Sequence, residues 1–317
     1  MKASYLKSYG KPDSMQYGEL PEPQIATGQL LIRIMAVSVN PVDWKVKQGV
    51  LKIVVGSKFP KVIGSDFAGV VEEVAEGVEG YKKGDRVYGV KSAFSSKPGV
   101  LSELAAIDSK RARKMPDFLS FEQAASLPIA ALTALNGLRR TNVGEGSKVL
   151  INGATGGVGH FAIQMAKSMG AHITATCSSS NALLAQELGA DEIYNYSGGN
   201  TLPVSTNFDA IMDAWGMMDY KLIHRHLKPE GIYASPLYMP WTVFAALYVR
   251  LRYNRKMTSS NMRALPEDYA DLETLIEKGE LKTVIESVFP LEKAAEAFDK
   301  AEFGKPRGKV IIRVGKA

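Results

Sequence analysis

Apolar and polar positions follow two different rhythms along this chain. Up to about Ser120 the segments "QLLIRIMAVSV" and "AGVVEEVAEGV" are rich in Val and Ile. Glycine, proline and aspartate clusters such as "KKGDRVYG" punctuate them, which predicts strands joined by turns. After Ser120 the period lengthens. "SFEQAASLPIAALTALNGL" predicts helix, and Ser120 with Gln123 fits a capping box at its start.

From Lys148 onward strand and helix alternate. "KVLING" predicts a strand, and "HFAIQMAKSMG" a helix with Phe161, Ile163, Met165, Ala166 and Met169 at apolar positions and Gly170 as its stop. "HITATC" (strand), "NALLAQELGA" (helix), "EIYNY" (strand) and "FDAIMDAWG" (strand) continue the series. "LIHRHLKPEG" then predicts a helix with a Pro/Gly stop, and "IYASP" a fifth strand. "DYADLETLIEKGEL" predicts a late helix and "KVIIRV" a closing strand. Such alternation implies a parallel sheet wrapped by helices. The fold class is therefore α/β: a β-rich half first, a doubly wound half second, with the C-terminal stretch open between the two.

Between the first strand and helix of the second half lies "NGATGGVGH", in which Gly153, Gly156 and Gly159 follow a G-x-x-G-x-x-G spacing. It follows a strand, opens a helix and sits in a β-α-β unit, the context that makes a glycine pattern a dinucleotide-binding turn. Without side chains the backbone can approach a pyrophosphate, and the N–H groups of the helix start point at it. About twenty residues further on, NAD-binding versions carry an acid that accepts hydrogen bonds from the ribose. Here "TATCSSSN" supplies Cys177, Ser178, Ser179, Ser180 and Asn181 instead. An acid facing a 2′-phosphate at about 4 Å would cost roughly 4 kcal/mol at an effective dielectric near 20, close to a thousandfold in affinity. Its absence, with neutral hydroxyl and amide donors in its place, points to NADP(H).

Composition narrows the class without changing it. The 317 residues suffice for two domains; 45% are hydrophobic and 23% charged, as in a soluble globular enzyme. The first residues, "MKASYLKSYGKPDS", hold no apolar core of signal-peptide length, and "PWTVFAALYV" is too short to span a bilayer, so a cytoplasmic protein is expected. A single cysteine, Cys177, excludes an internal disulfide. The net charge of +6 is spread out, and no nucleic-acid module or internal repeat is present.

With these residues in view, the chain resembles the zinc-independent, quinone oxidoreductase-like branch of the medium-chain dehydrogenase/reductase superfamily. The resemblance rests on "VSVNPVDWKVKQG", "FPKVIGSDFAGVVEEVAEGVEGYKKGDRVYG", "SLPIAALTAL", "INGATGGVGHFAIQMAK", "LGADEIYNY" and "LIEKGELKTVIESVFPLEKAAEAFDK" with "GKVIIRV", in that order. It implies a GroES-like β domain from residues 1–122 and 262–317, a Rossmann domain from 123–261 inserted between, and an active site in the cleft. It also implies a homodimer and a small-molecule quinone or enone substrate. Asn40 matches the position of a polar side chain near nicotinamide and substrate, the candidate catalytic residue. Thr133 matches a cofactor contact near the nicotinamide. Ala154, Thr155, Gly156, Gly157 and Val158 match the pyrophosphate turn; Ser178, Asn181 and Tyr196 match the 2′-phosphate pocket. The loop lacks the Lys or Arg that many relatives carry there.

Zinc-dependent relatives hold their metal with Cys and His of the β-rich half. All four His (160, 172, 224, 226) and Cys177 lie in the other half, and "VNPVDW" and "GSDFAG" occupy the matching segments, so no metal site is expected. A short-chain-reductase dyad is excluded as well, since no Tyr precedes a Lys by four residues. What remains is hydride transfer to a quinone or to the β-carbon of an enone, where charge spreads into a carbonyl oxygen and the protein supplies orientation and hydrogen bonds. Asn40 is the first candidate donor; Asp43 and Lys45 follow. A metal-free alcohol/ketone reductase and a non-enzymatic NADPH-binding protein are the alternatives. Trp241, Phe244, Leu247, Tyr248 and Leu251, with arginines after them, predict a helix that either packs on the cleft or a partner, or lies on a membrane surface.

Overall fold

The computed structural model describes the chain apart from residue 12 and residues 197–206, 217, 220–222, 237–241 and 316–317. It divides into two compact units, Met1–Ile129 with Ile285–Ala317, and Ala130–Val284.

The first unit begins with β1 (Lys2–Leu6), β2 (Met15–Glu19), β3 (Gln29–Ser38), α1 (Pro41–Lys47), α2 (Lys52–Val55) and β4 (Lys61–Val62). It continues through β5 (Asp66–Val74), β6 (Arg86–Val90), β7 (Leu104–Asp108), β8 (Ala112–Lys114) and α3 (Phe121–Ser126). β3 is its spine. β5 pairs antiparallel along it from Leu30↔Val74 to Ser38↔Asp66, and β7 pairs with its first half. The Val/Ile-rich "QLLIRIM" is strand as expected, and Leu30, Ile32 and Ile34 on its alternate positions are fully buried in one core with Phe67, Val71 and Ile107. The predicted capping box closes as expected, with Gln123 N donating to Ser120 Oγ (3.2 Å) and Ser120 N to Gln123 Oε1 (2.9 Å).

In the second unit α4 (Pro128–Arg140) leads into β9 (Lys148–Asn152), α5 (Gly159–Ser168), β10 (His172–Cys177), α6 (Ala182–Glu187) and β11 (Glu192–Asn195). Then come β12 (Phe208–Asp213), β13 (Leu227–Ser235), α7 (Thr242–Tyr253), β14 (Lys256–Ser259) and α8 (Pro266–Glu277). The sheet order is β11-β10-β9-β12-β13-β14, every pair parallel. Counted from β9 this is the 3-2-1-4-5-6 order of a Rossmann domain, with the reversal between β9 and β12.

The chain then returns to the first unit through β15 (Ile285–Pro290), α9 (Ala294–Phe303) and β16 (Lys309–Arg313). β16 pairs with the far end of β3, Ile311 opposite Ser38, so the sheet runs β15-β16-β3-β5-β6-β8.

One predicted element is wrong. "LKPEG" does not end a helix: from Leu227 it is already strand, paired with Phe208 of β12. Pro229 has no N–H for a helical bond, Glu230 adopts a positive φ of 68°, and Lys228 is tied to Asp209 at 2.7 Å. A register shift between Phe208 and Ala210 absorbs the irregularity. His224 and His226 therefore lie in a turn, where the His224 ring stacks on Tyr253 at 3.8 Å. Among the described residues no helix is long and apolar enough to cross a membrane.

Candidate active site

At the carboxyl end of β9 the chain turns sharply. Gly153 takes φ +73°, a backbone that side-chain-bearing residues rarely adopt. A Cβ on Gly159 would stand 2.2 Å from the Gly153 carbonyl oxygen, so only glycine lets α5 start this close to the turn. The Gly156 carbonyl accepts from His160 N (3.1 Å) and from its ring Nδ1 (2.9 Å), which locks the first turn of α5. The Asn181 amide donates to Thr155 Oγ1 at 3.1 Å, tying the "CSSSN" loop to the glycine turn. Ser178 and Ser180 hydroxyls lie 3.0 Å apart. Cys177 is buried, and burial pushes its thiol pKa up, so the thiol stays neutral. Of the remaining candidates, Thr133 is buried within α4 and Tyr196 is half exposed just beyond β11.

A hydrogen-bonded hub that the sequence did not announce lies at the strand reversal. Asp213, fully buried at the end of β12, accepts from Asn152 Nδ2 (2.7 Å), Tyr233 Oη (2.7 Å), Gly216 N (3.0 Å) and Met218 N (2.9 Å). Asn152 in turn accepts from Thr176 Oγ1 (2.6 Å), whose oxygen also accepts from Gly153 N (3.1 Å). Burial first, then the Asp213 carboxylate, holds the Tyr233 phenol protonated far above its usual range. Four strand ends and the glycine turn are thus fixed by one connected network, at the place where open α/β sheets bind ligands.

The polar residues of the first unit are as densely connected. Asn40 is the N-cap residue of α1, in an extended backbone, and is buried. Its Nδ2 donates to Asp66 Oδ2 (2.8 Å) and to the Ser38 carbonyl (3.2 Å), and its Oδ1 accepts from Lys309 Nζ (2.7 Å). Asp43 accepts from Asn40 N (2.9 Å) and Ser65 Oγ (2.7 Å); Asp66 also accepts from Ser38 Oγ (3.0 Å) and Ile129 N (3.1 Å). Both amide hydrogens of Asn40 are spent inside the protein, so the side chain ties together the ends of β3, β5 and β16 at Ser38, Asp66 and Lys309. Asp43 bonds Asn40 and Ser65 and not Lys45. Lys45 is half-buried, burial lowers its pKa, and its ammonium has no partner among the described residues.

Burial dominates this cluster. It pushes Asp43 up to about 6 and Asp66 up to about 7, against the opposing pull of Lys309 and the hydrogen bonds, and it lowers Lys309. Folded carboxyls that hold protons more tightly than unfolded ones stabilise the fold fully below the unfolded value of 3.8, and that contribution is lost as pH rises through 6 to 7. Lys309 works in the opposite sense at alkaline pH. Urea unfolding between pH 4 and 8 is expected to show a falling contribution that Asp43→Asn flattens. An identical pH slope in the variant would mean that Asp43 is ionised throughout.

The first unit contains no Cys and no His. Among the described residues no group of three or more His, Cys, Asp or Glu is placed to hold a metal ion. "VNPVDW" and "GSDFAG" do meet, but through Asp43–Ser65 and Asn40–Asp66 hydrogen bonds.

Comparison with known proteins agrees with this geometry. Residues 26–117 match the alcohol dehydrogenase GroES-like domain family, and residues 188–312 the zinc-binding dehydrogenase family. A chloroplast envelope quinone oxidoreductase homolog of Arabidopsis thaliana is 33% identical over 98% of both chains. A 2-methylene-furan-3-one reductase of Solanum lycopersicum is 33% identical over 98% of this chain and 79% of its own. The solved quinone oxidoreductase of Coxiella burnetii superposes with a TM-score of 0.92 at 31% identity, over 99% of each chain. The chain belongs to the zinc-independent, quinone oxidoreductase-like branch of the medium-chain dehydrogenase/reductase superfamily.

Proposed function

We propose that the protein is an NADPH-dependent reductase acting on quinones or on the activated double bond of α,β-unsaturated carbonyl compounds. The observation that carries the reading is the glycine turn at the strand reversal of a 3-2-1-4-5-6 sheet, joined to a loop that offers hydroxyls and an amide where an acid would stand. The residues fit the dinucleotide. Gly156, Gly157 and Val158, with Ala154 and Thr155, form the pyrophosphate turn; Ser178, Asn181 and Tyr196 take the 2′-phosphate; Thr133 lies toward the nicotinamide end. When bound, the dinucleotide supplies the hydride. Conjugation carries the resulting charge to a carbonyl oxygen, so the chain is asked for orientation and hydrogen bonds and not for a Lewis acid. Asn40 contributes by tying the ends of β3, β5 and β16 together. The names of the Arabidopsis and tomato relatives, a quinone oxidoreductase homolog and a furanone reductase, support this substrate class.

The decisive experiment titrates NADPH and NADH into the wild type and into Ser178→Asp. Wild type should bind NADPH at least about tenfold tighter. The added carboxylate should weaken NADPH by about a hundred- to a thousandfold while leaving NADH within a few-fold. Equal losses for both nucleotides, or none for either, would sink the phosphate-pocket reading. A screen of quinones, enones and unconjugated ketones then follows, and turnover of the ketones alone would replace the proposed substrate class.

A further inference from the structure

The helix α7 carries its apolar side chains on two faces. Ala245 and Val249 point inward and are buried, and the helix packs on β14. Val243, Phe244, Leu247, Tyr248 and Leu251 point outward, each at least half exposed, with Phe244 at 75% and Leu251 at 78%. Their spacing, i, i+1, i+4, i+5 and i+8, makes one continuous stripe about 140° wide at 3.6 residues per turn. Arg250 and Arg252 fall at its two margins, both exposed. Five large apolar side chains held in water on one helix face mark a surface made to be covered. Trp241, just before this helix, lies outside the described residues.

Charge decides what covers it. Between Glu230 and Glu267 the chain holds no acidic residue, while Arg250, Arg252, Arg255, Lys256 and Arg263 all lie there. Arg255 turns inward to the Leu227 carbonyl (2.7 Å) and Lys256 pairs with Glu230 (3.3 Å), while Arg250 and Arg252 stay exposed, Arg252 with its guanidinium 5.3 Å from the Tyr253 ring. A second copy laid on the stripe by a twofold axis would bring these arginines together, and Glu230, the acid near Arg250, is already paired with Lys256. An anionic surface meets them with opposite charge. Long arginine stems at the edges of an apolar stripe can keep their heads at phosphate level while the stripe enters the acyl boundary. We propose that α7 docks the protein onto a bilayer surface containing anionic phospholipid, lying in the interface plane. This inference is independent of the cofactor and substrate assignment.

The test is co-sedimentation of the full chain with vesicles of phosphatidylcholine alone and of phosphatidylcholine mixed with phosphatidylglycerol, at low and high salt. The wild type should partition to the mixed vesicles and hardly to the neutral ones, with at least about a tenfold loss at high salt. Phe244→Ser with Leu251→Ser, and separately Arg250→Ala with Arg252→Ala, should each reduce binding about tenfold or more with NADPH affinity unchanged. These are exposed positions, so folding is expected to survive; circular dichroism confirms it. No binding to either vesicle overturns the proposal. Binding untouched by both double variants overturns it too. Self-association without lipid, abolished by Phe244→Ser with Leu251→Ser, would assign the stripe to a second copy instead.

Discussion

Lys309→Met is expected to cost about 3–5 kcal/mol of folding stability, the usual penalty for removing one partner from a buried charged cluster. The ammonium is the cluster's single cation. It reaches Asp66 through the Asn40 amide, and Asp43 lies on the same network. Methionine fills a similar volume but removes the cation that opposes burial at Asp43 and Asp66, so both carboxyls must take up protons at pH 7 and the Asn40 amide oxygen loses its donor, in a site excluded from water. Asp66→Asn should be milder, because Asp43 and Lys309 then balance one to one. Urea unfolding at pH 7 of both variants beside the wild type gives the comparison. A loss below about 1 kcal/mol for Lys309→Met would mean that proton uptake by Asp43 and Asp66 offsets the missing cation.

Gly156→Ala is expected to leave the fold nearly intact and to weaken NADPH binding by about ten- to a hundredfold. A Cβ at this position meets only the Gly153 carbonyl oxygen at 3.4 Å, an ordinary contact, so the turn itself can accept it. In the proposed binding mode the methyl would stand where a pyrophosphate approaches the backbone, and each lost hydrogen bond to a charged group is worth about 1.5–3 kcal/mol. Gly159→Ala is the structural control, since its methyl collides with the turn and should lower thermal stability directly. Thermal unfolding and NADPH titration of the two variants separate the roles. Unchanged NADPH affinity in Gly156→Ala would show that the ligand does not approach this backbone.

The parallel sheet was legible because each of its units carries its own evidence: a short Val/Ile run, a turn, then a helical period. "HITATC" matches β10 end to end for that reason. The glycine turn was legible because its backbone demands are local. What stayed hidden depends on residues far apart. A polar residue before a helix looks the same whether it caps in water or is buried; the contacts with Asp66, 26 residues away, and Lys309, 269 residues away, close the Asn40 side chain off. Asp213 sits in "FDAIMD" with nothing to separate it from Asp209, which binds Lys228 near the surface, because strand alternation does not say which carboxylate meets Asn152 and Tyr233. "LKPEG" misled because proline and glycine read as a helix stop, whereas here they let an edge of β13 bend.

The pairing of β16 with β3 also fixes an order of assembly. The second unit is contiguous, so all of its strands have left the ribosome before β16 is made. At about 5–20 residues per second, the segment holding Asn40 waits roughly 13–54 s for Lys309. During translation the far end of β3 is an open edge, and the carboxylates of Asp43 and Asp66 must remain hydrated. The part of the chain synthesised first is therefore the last to become native.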